Sequence, residues 1–457
     1  MPSPDGASEP ARPAAPASHA ARPVSCAALV IVAAGVTIGW IALDRLIPPA
    51  PSPLPPVAED EIPPDTGAVR HRNGFGEPSL LIQPVAVEGD AAPPLDPVRL
   101  HGRLVDVLSR FEGVRVLMPR TATTIGAGVP LPAPDYVLGT AIETGRPDGP
   151  VLRLRLVETA GTAVLWQASY PVAPSEDGPG PAGDRLMRKI AAALLQPYGL
   201  LPATERGRGE QARPSPYRCT LEVAEFARFV DPIARERTRR CLVRAIAADP
   251  AFGYGRAMLA RMYWRQYLLH GFESDLATAA ALAARGVALA PHSARAHYAL
   301  MTVRVSQGRL TEGLAAGSRA LTLNPYDFRV LTVYGAQLTT LGRFDEGYAL
   351  LQQARESVPV MPLPLAWGLF FAAYAKGDLA TAENCVAAME GEFDLNHLAR
   401  GLLAVARGDM AAARAARAAL RAGRSIWDGD PRRRLRRFIP SPVLYDRIVT
   451  DFARIPR

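Results

Sequence analysis

Three prolines recur at one constant interval: Pro291 in "ALAPHSARAHYAL", Pro325 in "LTLNPYDFRVLTVYG" and Pro359 in "ARESVPVMPLPLAWG". Gly308 and Gly342 keep the same interval, as do Gly313 and Gly347, and Ala320 and Ala354. A fixed period of about 34 residues admits few folds. Each unit is a pair of helices that cannot bury its apolar face alone, so neighbours must stack into a continuous array. The small residues let two helices of a pair approach closely, Leu300, Leu321, Tyr334 and Leu341 fill the seam, and each proline closes a unit because it cannot continue the preceding helix.

This pattern is the tetratricopeptide signature, and it predicts an α-solenoid over residues 215–425 with residues 426–457 as a cap. Upstream, Pro250 precedes Pro291 by one period and a surplus of seven, which points to an insertion around "YLLHGFESD". After Pro359 the glycine turns persist at altered spacing, as expected of capping units. The first helix of each pair should line a concave groove, which places Arg295, Tyr298, Thr302, Arg329 and Thr332 as candidate contacts for a partner peptide or helix. The same positions could equally be plain solvated ones.

Residues 78–200 carry a different rhythm. "VLRLRLVETAGTAVLWQASYPV" alternates apolar and polar residues on both sides of a Gly-Thr turn, the mark of a hairpin. "SLLIQPVAV" begins a strand, "VRLHGRLVDVLSRFEGVRVLMP" is an amphipathic helix running into another strand, and "AGDRLMRKIAAALLQPYGL" is a closing helix with Leu186, Met187, Ile190 and Leu194 on one face. A small α/β sandwich followed by a linker over 201–214 is expected.

Leu108-Ser109 with Val114-Arg115-Val116, then Tyr136-Val137-Leu138-Gly139, Leu154-Arg155-Leu156-Val157, and Gly161 leading to Val164-Leu165-Trp166 resemble the TolB amino-terminal-like modules of bacteria. With the Cys219/Cys241 pair and the "Ala-Asp-Pro" at 248–250, the resemblance spans about 78–450. It is similar to the flanking regions of class III adenylate cyclases with tetratricopeptide tails and of CadC-type membrane regulators. The resemblance implies a sensing or scaffolding portion. The short stretch 1–23 ahead of the apolar segment leaves no room for a cyclase domain or a winged helix, so neither effector activity is expected.

That apolar segment is "VSCAALVIVAAGVTIGWIAL", Val24 to Leu43, twenty residues without a charge. At a rise of about 1.5 Å per residue it matches the hydrocarbon thickness of a bilayer. A single transmembrane helix over residues 24–47 is expected, between a Pro-rich tail (1–23) and a Pro-rich linker (48–77) that bury too little to order themselves. A cleaved signal peptide is the competing reading; the prolines of "DRLIPPAPSP" stand where a cleavage site should be. Arg12 and Arg22 before the segment favour a cytoplasmic N-terminus and periplasmic domains at a bacterial inner membrane.

Four cysteines add a second constraint. Cys219 and Cys241 lie at about equal distances from the Asp231-Pro232 joint between two helices, which puts both thiols at one height on facing helices. A disulfide, which would require an oxidising compartment, and a pair of buried free thiols both fit.

Net charge is +8, carried mostly by arginines spread along the chain, which gives no nucleic-acid footprint. The exception, "RRRLRR" at Arg432 to Arg437, reads as the solvated face of a capping helix or a basic contact patch. P-loop, G-x-S-x-G, H-E-x-x-H and C-x-x-C motifs are absent, and the seven histidines are scattered. No cofactor, metal or catalytic residue is expected. The sequence thus reads as an α+β chain with one N-terminal transmembrane helix. It would be a non-catalytic adaptor for a protein partner in envelope or polysaccharide-related assembly, or alternatively the ligand-sensing component of a cyclic-nucleotide or transcriptional system.

Overall fold

The structure, a computed structural model, describes residues 53–55, 75–119 and 133–455, apart from residues 162, 175, 177, 179, 197–198, 209–214, 227–231, 392–393 and 423–430. The expected membrane segment lies outside the described residues, and no described helix is long and apolar enough to cross a membrane.

The sheet domain holds strands β1 (Ser79–Ile82), β2 (Ala86–Glu88), β3 (Arg115–Leu117), β4 (Tyr136–Glu143), β5 (Val151–Glu158) and β6 (Val164–Pro171), with helices α1 (Pro97–Ser109) and α2 (Pro181–Leu195). The order is β3-β1-β4-β5-β6, with β2 extending β4 off that path. β1 runs parallel to β3 and β4, whereas β4, β5 and β6 are antiparallel. Alternation sets the faces. Leu138, Leu152, Leu154 and Leu156 are fully buried with Leu104, Met187 and Ile190 of the two helices. On the opposite face Val137 pairs with Val157 and Gly139 with Arg155, and Arg155 is exposed. One face is therefore covered and the other open, the usual economy of an antiparallel sheet. β6 forms an edge, and no described element pairs with its outer side.

Residues 201–207 differ from the linker expected over 201–214. Leu200–Gly207 form helix α3, whose Leu201 is fully buried in the sheet-domain core and whose Glu205 accepts a hydrogen bond from the Tyr136 hydroxyl at 2.6 Å. Two leucines at the helix start repay the ordering of a segment whose remaining residues look polar.

Helix pairs follow: α4 (Pro216–Phe226) with α5 (Pro232–Ala248), α6 (Gly253–His270) with α7 (Glu273–Leu289), α8 (Ala294–Ser306) with α9 (Leu310–Leu323), α10 (Phe328–Thr340) with α11 (Phe344–Ser357), α12 (Leu363–Lys376) with α13 (Leu379–Ala387), and α14 (Asp394–Arg407) with α15 (Met410–Ala422). Helices α16 (Pro431–Phe438) and α17 (Pro442–Ala453) end the chain. The expected insertion does not form a loop. It lengthens α6 and α7 to 18 and 17 residues, against 13 and 14 in α8 and α9. The turns within pairs use glycine because the backbone there is left-handed, with φ of +75° at Gly308 and +90° at Gly342. Gly347 shows why small residues recur: a Cβ there would lie 2.6 Å from the Gly335 carbonyl oxygen on the facing helix. The basic run falls in α16, where Arg436 rests over the Tyr445 ring at 4.8 Å.

The short stretch 53–55 is held by the array. Leu54 is buried, its N–H donates to Asp275 Oδ1 at 3.2 Å, and the Tyr263 hydroxyl donates to the Pro55 carbonyl at 2.5 Å. Asp275 is 1% exposed and its Oδ2 has no partner, so burial pushes its carboxyl up to about 6. An unfolded aspartate titrates near 3.9. Between those values the folded chain keeps a proton that the unfolded chain has lost, so stability falls as pH rises through the window. Denaturant unfolding at pH 4 and pH 6.5 should show a loss of about 2–3 kcal/mol from this carboxyl, and Asp275→Asn should remove that slope; an unchanged slope in the variant would refute the assignment.

Candidate functional site

The five groove candidates follow from their places in the repeat. Arg295 and Arg329 are each the second residue of an inner helix, α8 and α10, one period apart. Tyr298, Thr302 and Thr332 lie one or two turns further along, on the same faces. In an isolated array these positions would look into an open groove.

Here most of them are used internally. Tyr298 is 1% exposed, Thr302 0% and Thr332 2%. Tyr298 packs among Ala294, Met301, Ala316 and Leu338, and the Arg261 guanidinium of α6 stands over its ring at 4.5 Å. The Thr302 hydroxyl donates to the Ala299 carbonyl at 2.9 Å, and the Thr332 hydroxyl is buried with no partner. The physical reason is the close packing of consecutive inner helices. These three residues cannot serve as groove contacts without rearrangement.

Arg295 is also buried, and its partners join two pairs and the sheet domain. Its Nε donates to Asp327 Oδ2 at 3.0 Å and its Nη1 to the Tyr254 hydroxyl at 3.1 Å, while Glu112 lies 3.8 Å away. Burial works most strongly against the charge, but Asp327, Tyr254 and Glu112 together outweigh it and hold the guanidinium protonated well above its usual range. Asp327 caps α10, its Oδ1 accepting from the Arg329 N–H at 2.8 Å. Glu112, just beyond α1, accepts from the Ser293 hydroxyl at 2.7 Å and from the Arg295 N–H at 3.1 Å.

Further bonds extend this junction along the loops between pairs. Asn324 donates to the Arg110 carbonyl at 3.1 Å, Arg110 to the Leu323 carbonyl at 3.2 Å, and the Tyr326 hydroxyl to Asp184 at 3.2 Å. Arg185 pairs with Glu356 at 2.9 Å. The sheet domain and the array are thereby packed together, and it is the repeat boundaries that receive the sheet domain.

Between them is a small cavity of about 30 Å³ lined by Arg206 of α3, Tyr217 of α4, Arg261 of α6, Arg295 and Arg329, with Gly113 and Met258 completing its wall. Of the five groove candidates the structure thus brings Arg295 and Arg329 to one site. Sequence reasoning missed Arg206, Tyr217 and Arg261. Arg261 carried a signal, since it stands one period before Arg295. The lengthened α6 puts it two turns beyond Tyr254, the residue at the position matching Arg295. Tyr217 is 2% exposed and its hydroxyl has no partner; burial, together with neighbouring Tyr254 and Glu205, raises its pKa.

Cys219 and Cys241 form a disulfide linking α4 to α5, with Cα atoms 5.5 Å apart. Cys385 is free and buried, its thiol pushed up to about 12 by burial. Among the described residues no group of three or more His, Cys, Asp or Glu is placed to hold a metal ion.

No family model and no curated protein matches the chain. Among solved structures, one described as a functional characterization of Pseudomonas aeruginosa PilF is 15% identical, covering 52% of this chain and 99% of that one, with a TM-score of 0.34. A likeness that loose carries no argument.

Proposed function

We propose that this chain is a non-catalytic adaptor, tethered to a bacterial inner membrane by the apolar segment 24–47, with its N-terminus cytoplasmic and its folded domains periplasmic. The Cys219–Cys241 disulfide supports the oxidising compartment. The stacked tetratricopeptide-type pairs support a role in protein interaction, envelope or polysaccharide-related assembly being the context the sequence suggests. A second reading, a ligand-sensing component related to the TolB-like regions of cyclases and CadC-type regulators, draws on the cavity between sheet domain and array.

For the adaptor, the carrying observation is β6. Its eight residues, "VLWQASYP", hold no charge, and its outer side is unpaired among the described elements. Sheet edges are normally blunted by charges, bulges or coverage, because a row of free N–H and C=O groups recruits another strand. β6 has one register shift against β5, at Leu156/Val157, and ends at Pro171; between them Trp166 to Tyr170 run in unbroken register. A partner segment added alongside β6 would gain main-chain hydrogen bonds, with the adjacent open face reading its side chains. This moves the docking surface away from the concave positions, where Arg295, Tyr298, Thr302 and Thr332 are buried.

Gln167 and Ser169 pair with Arg155 and Arg153 across β5–β6, on the open face, so lysines there leave the core intact and oppose strand addition. Affinity capture from envelope extracts with the full chain in detergent should recover a stoichiometric protein with the wild type. The Gln167→Lys/Ser169→Lys variant should recover about tenfold less. Equal recovery by the two, or no stoichiometric partner, would sink the adaptor reading.

A further inference from the structure

We propose that the arginine-lined cavity between the sheet domain and the inner helices binds a small phosphoryl group, either inorganic phosphate or the head of a phosphate monoester. Charge is the first reason. Arg295 is neutralised by Asp327 and approached by Glu112. Arg261 and Arg329 line the same wall, and among the described residues neither has a carboxylate partner. Arg261 rests on the Tyr298 ring, and its Nε is buried without a hydrogen-bond acceptor. Two half-buried guanidinium groups without a carboxylate partner line one small, partly open space and repel each other, a repulsion that an entering anion relieves.

An idle donor is the second reason. The Tyr217 hydroxyl, on a residue 2% exposed, lines the cavity with its hydrogen unused. Buried hydroxyls in native proteins are almost always satisfied, and this one stands beside two arginines that have no carboxylate partner, so the wall offers an anion a hydroxyl donor as well as two cations. Size and charge then select the ligand. A volume of about 30 Å³ corresponds to about two or three waters, which admits a compact oxyanion and excludes a base or a peptide side chain of any length. A carboxylate would neutralise only one of the two free guanidinium groups. A phosphate dianion neutralises both and offers oxygens to each fork and to the tyrosine hydroxyl. The cavity alone carries this inference, which stands or falls separately from the adaptor reading.

The test uses the full chain in detergent in chloride buffer at constant ionic strength. Inorganic phosphate, glycerol phosphate and acetate are each titrated while the thermal unfolding midpoint and the calorimetric heat are followed. Phosphate or its monoester should bind saturably and raise the midpoint, whichever is tighter identifying the source, while acetate should do neither. Arg329→Gln should weaken binding about tenfold or more, and Tyr217→Phe several-fold, as expected for lost charge-assisted hydrogen bonds. Arg155→Gln, on the open sheet face, should bind like the wild type. The proposal is overturned if phosphate and its monoester act no differently from acetate. It is overturned equally if Tyr217→Phe and Arg329→Gln, folded by circular dichroism, bind as Arg155→Gln does.

Discussion

Asp327→Ala is expected to lower the unfolding free energy by about 3–5 kcal/mol, the usual cost of removing one partner of a buried ion pair. The carboxylate is completely buried and does two jobs. One oxygen caps α10 through the Arg329 N–H, and the other takes the Arg295 Nε from the preceding pair. Alanine loses the cap, worth about 1 kcal/mol, and strands a guanidinium whose side chain is only 10% exposed. Glu112 at 3.8 Å and the Tyr254 hydroxyl compensate only in part. Pairing Asp327→Asn with Arg295→Met separates the contributions: the cap survives, no charge is left alone, and most of the loss should return. Urea unfolding followed by circular dichroism and by tryptophan fluorescence measures this. A loss below about 1 kcal/mol for Asp327→Ala would mean that the pair is a bystander.

The same pair shows where the sequence was legible and where it stopped. Period, glycine turns and closing prolines each act within one pair or between neighbours, so a linear text records them. Gly313, Gly347, Ala320 and Ala354 mark close helix approach by their size alone, and the alternation in β4 to β6 marks a covered and an open face. The position of Arg295 in the repeat was equally readable, but its environment was not. Whether the second residue of an inner helix meets solvent depends on a domain far earlier in the chain. That junction is built from Arg110, Glu112, Ser293 and Asn324, polar residues that look like ordinary loop. Helix α3 was lost for the same reason, its fate being decided by two leucines and a distant tyrosine hydroxyl. The cavity is assembled from several helices and a loop, none of which announces it alone. The apolar segment Val24 to Leu43 lies outside the described residues, and its reading as a membrane span rests on its length and lack of charge alone.

Replacing both Cys219 and Cys241 by serine should cost about 3.4 kcal/mol in the chain-entropy account, for a crosslink spanning 22 residues. The tie matters more here than in a helix pair with a large core. Tyr217, Cys219, Leu221 and Val223 are buried anchors of α4, and the helix packs on α5 and α6 and, less extensively, on α3. Freed from α5, α4 should fray first, so the loss should appear as an early unfolding phase detected by hydrogen exchange over residues 216–248. Tyr217 is two residues from Cys219, so the same variant should also bind phosphate more weakly. The chemistry can be read without any variant. Of the four cysteines in the chain, only Cys26 and Cys385 should react with a thiol reagent in denaturant when the protein is taken from native membranes, whereas material kept in a reducing cytosol should show all four. Four reactive thiols in the membrane-derived chain would remove both the crosslink and the compartment it implies, because two facing cysteines 5.5 Å apart in an oxidising space have no reason to stay reduced.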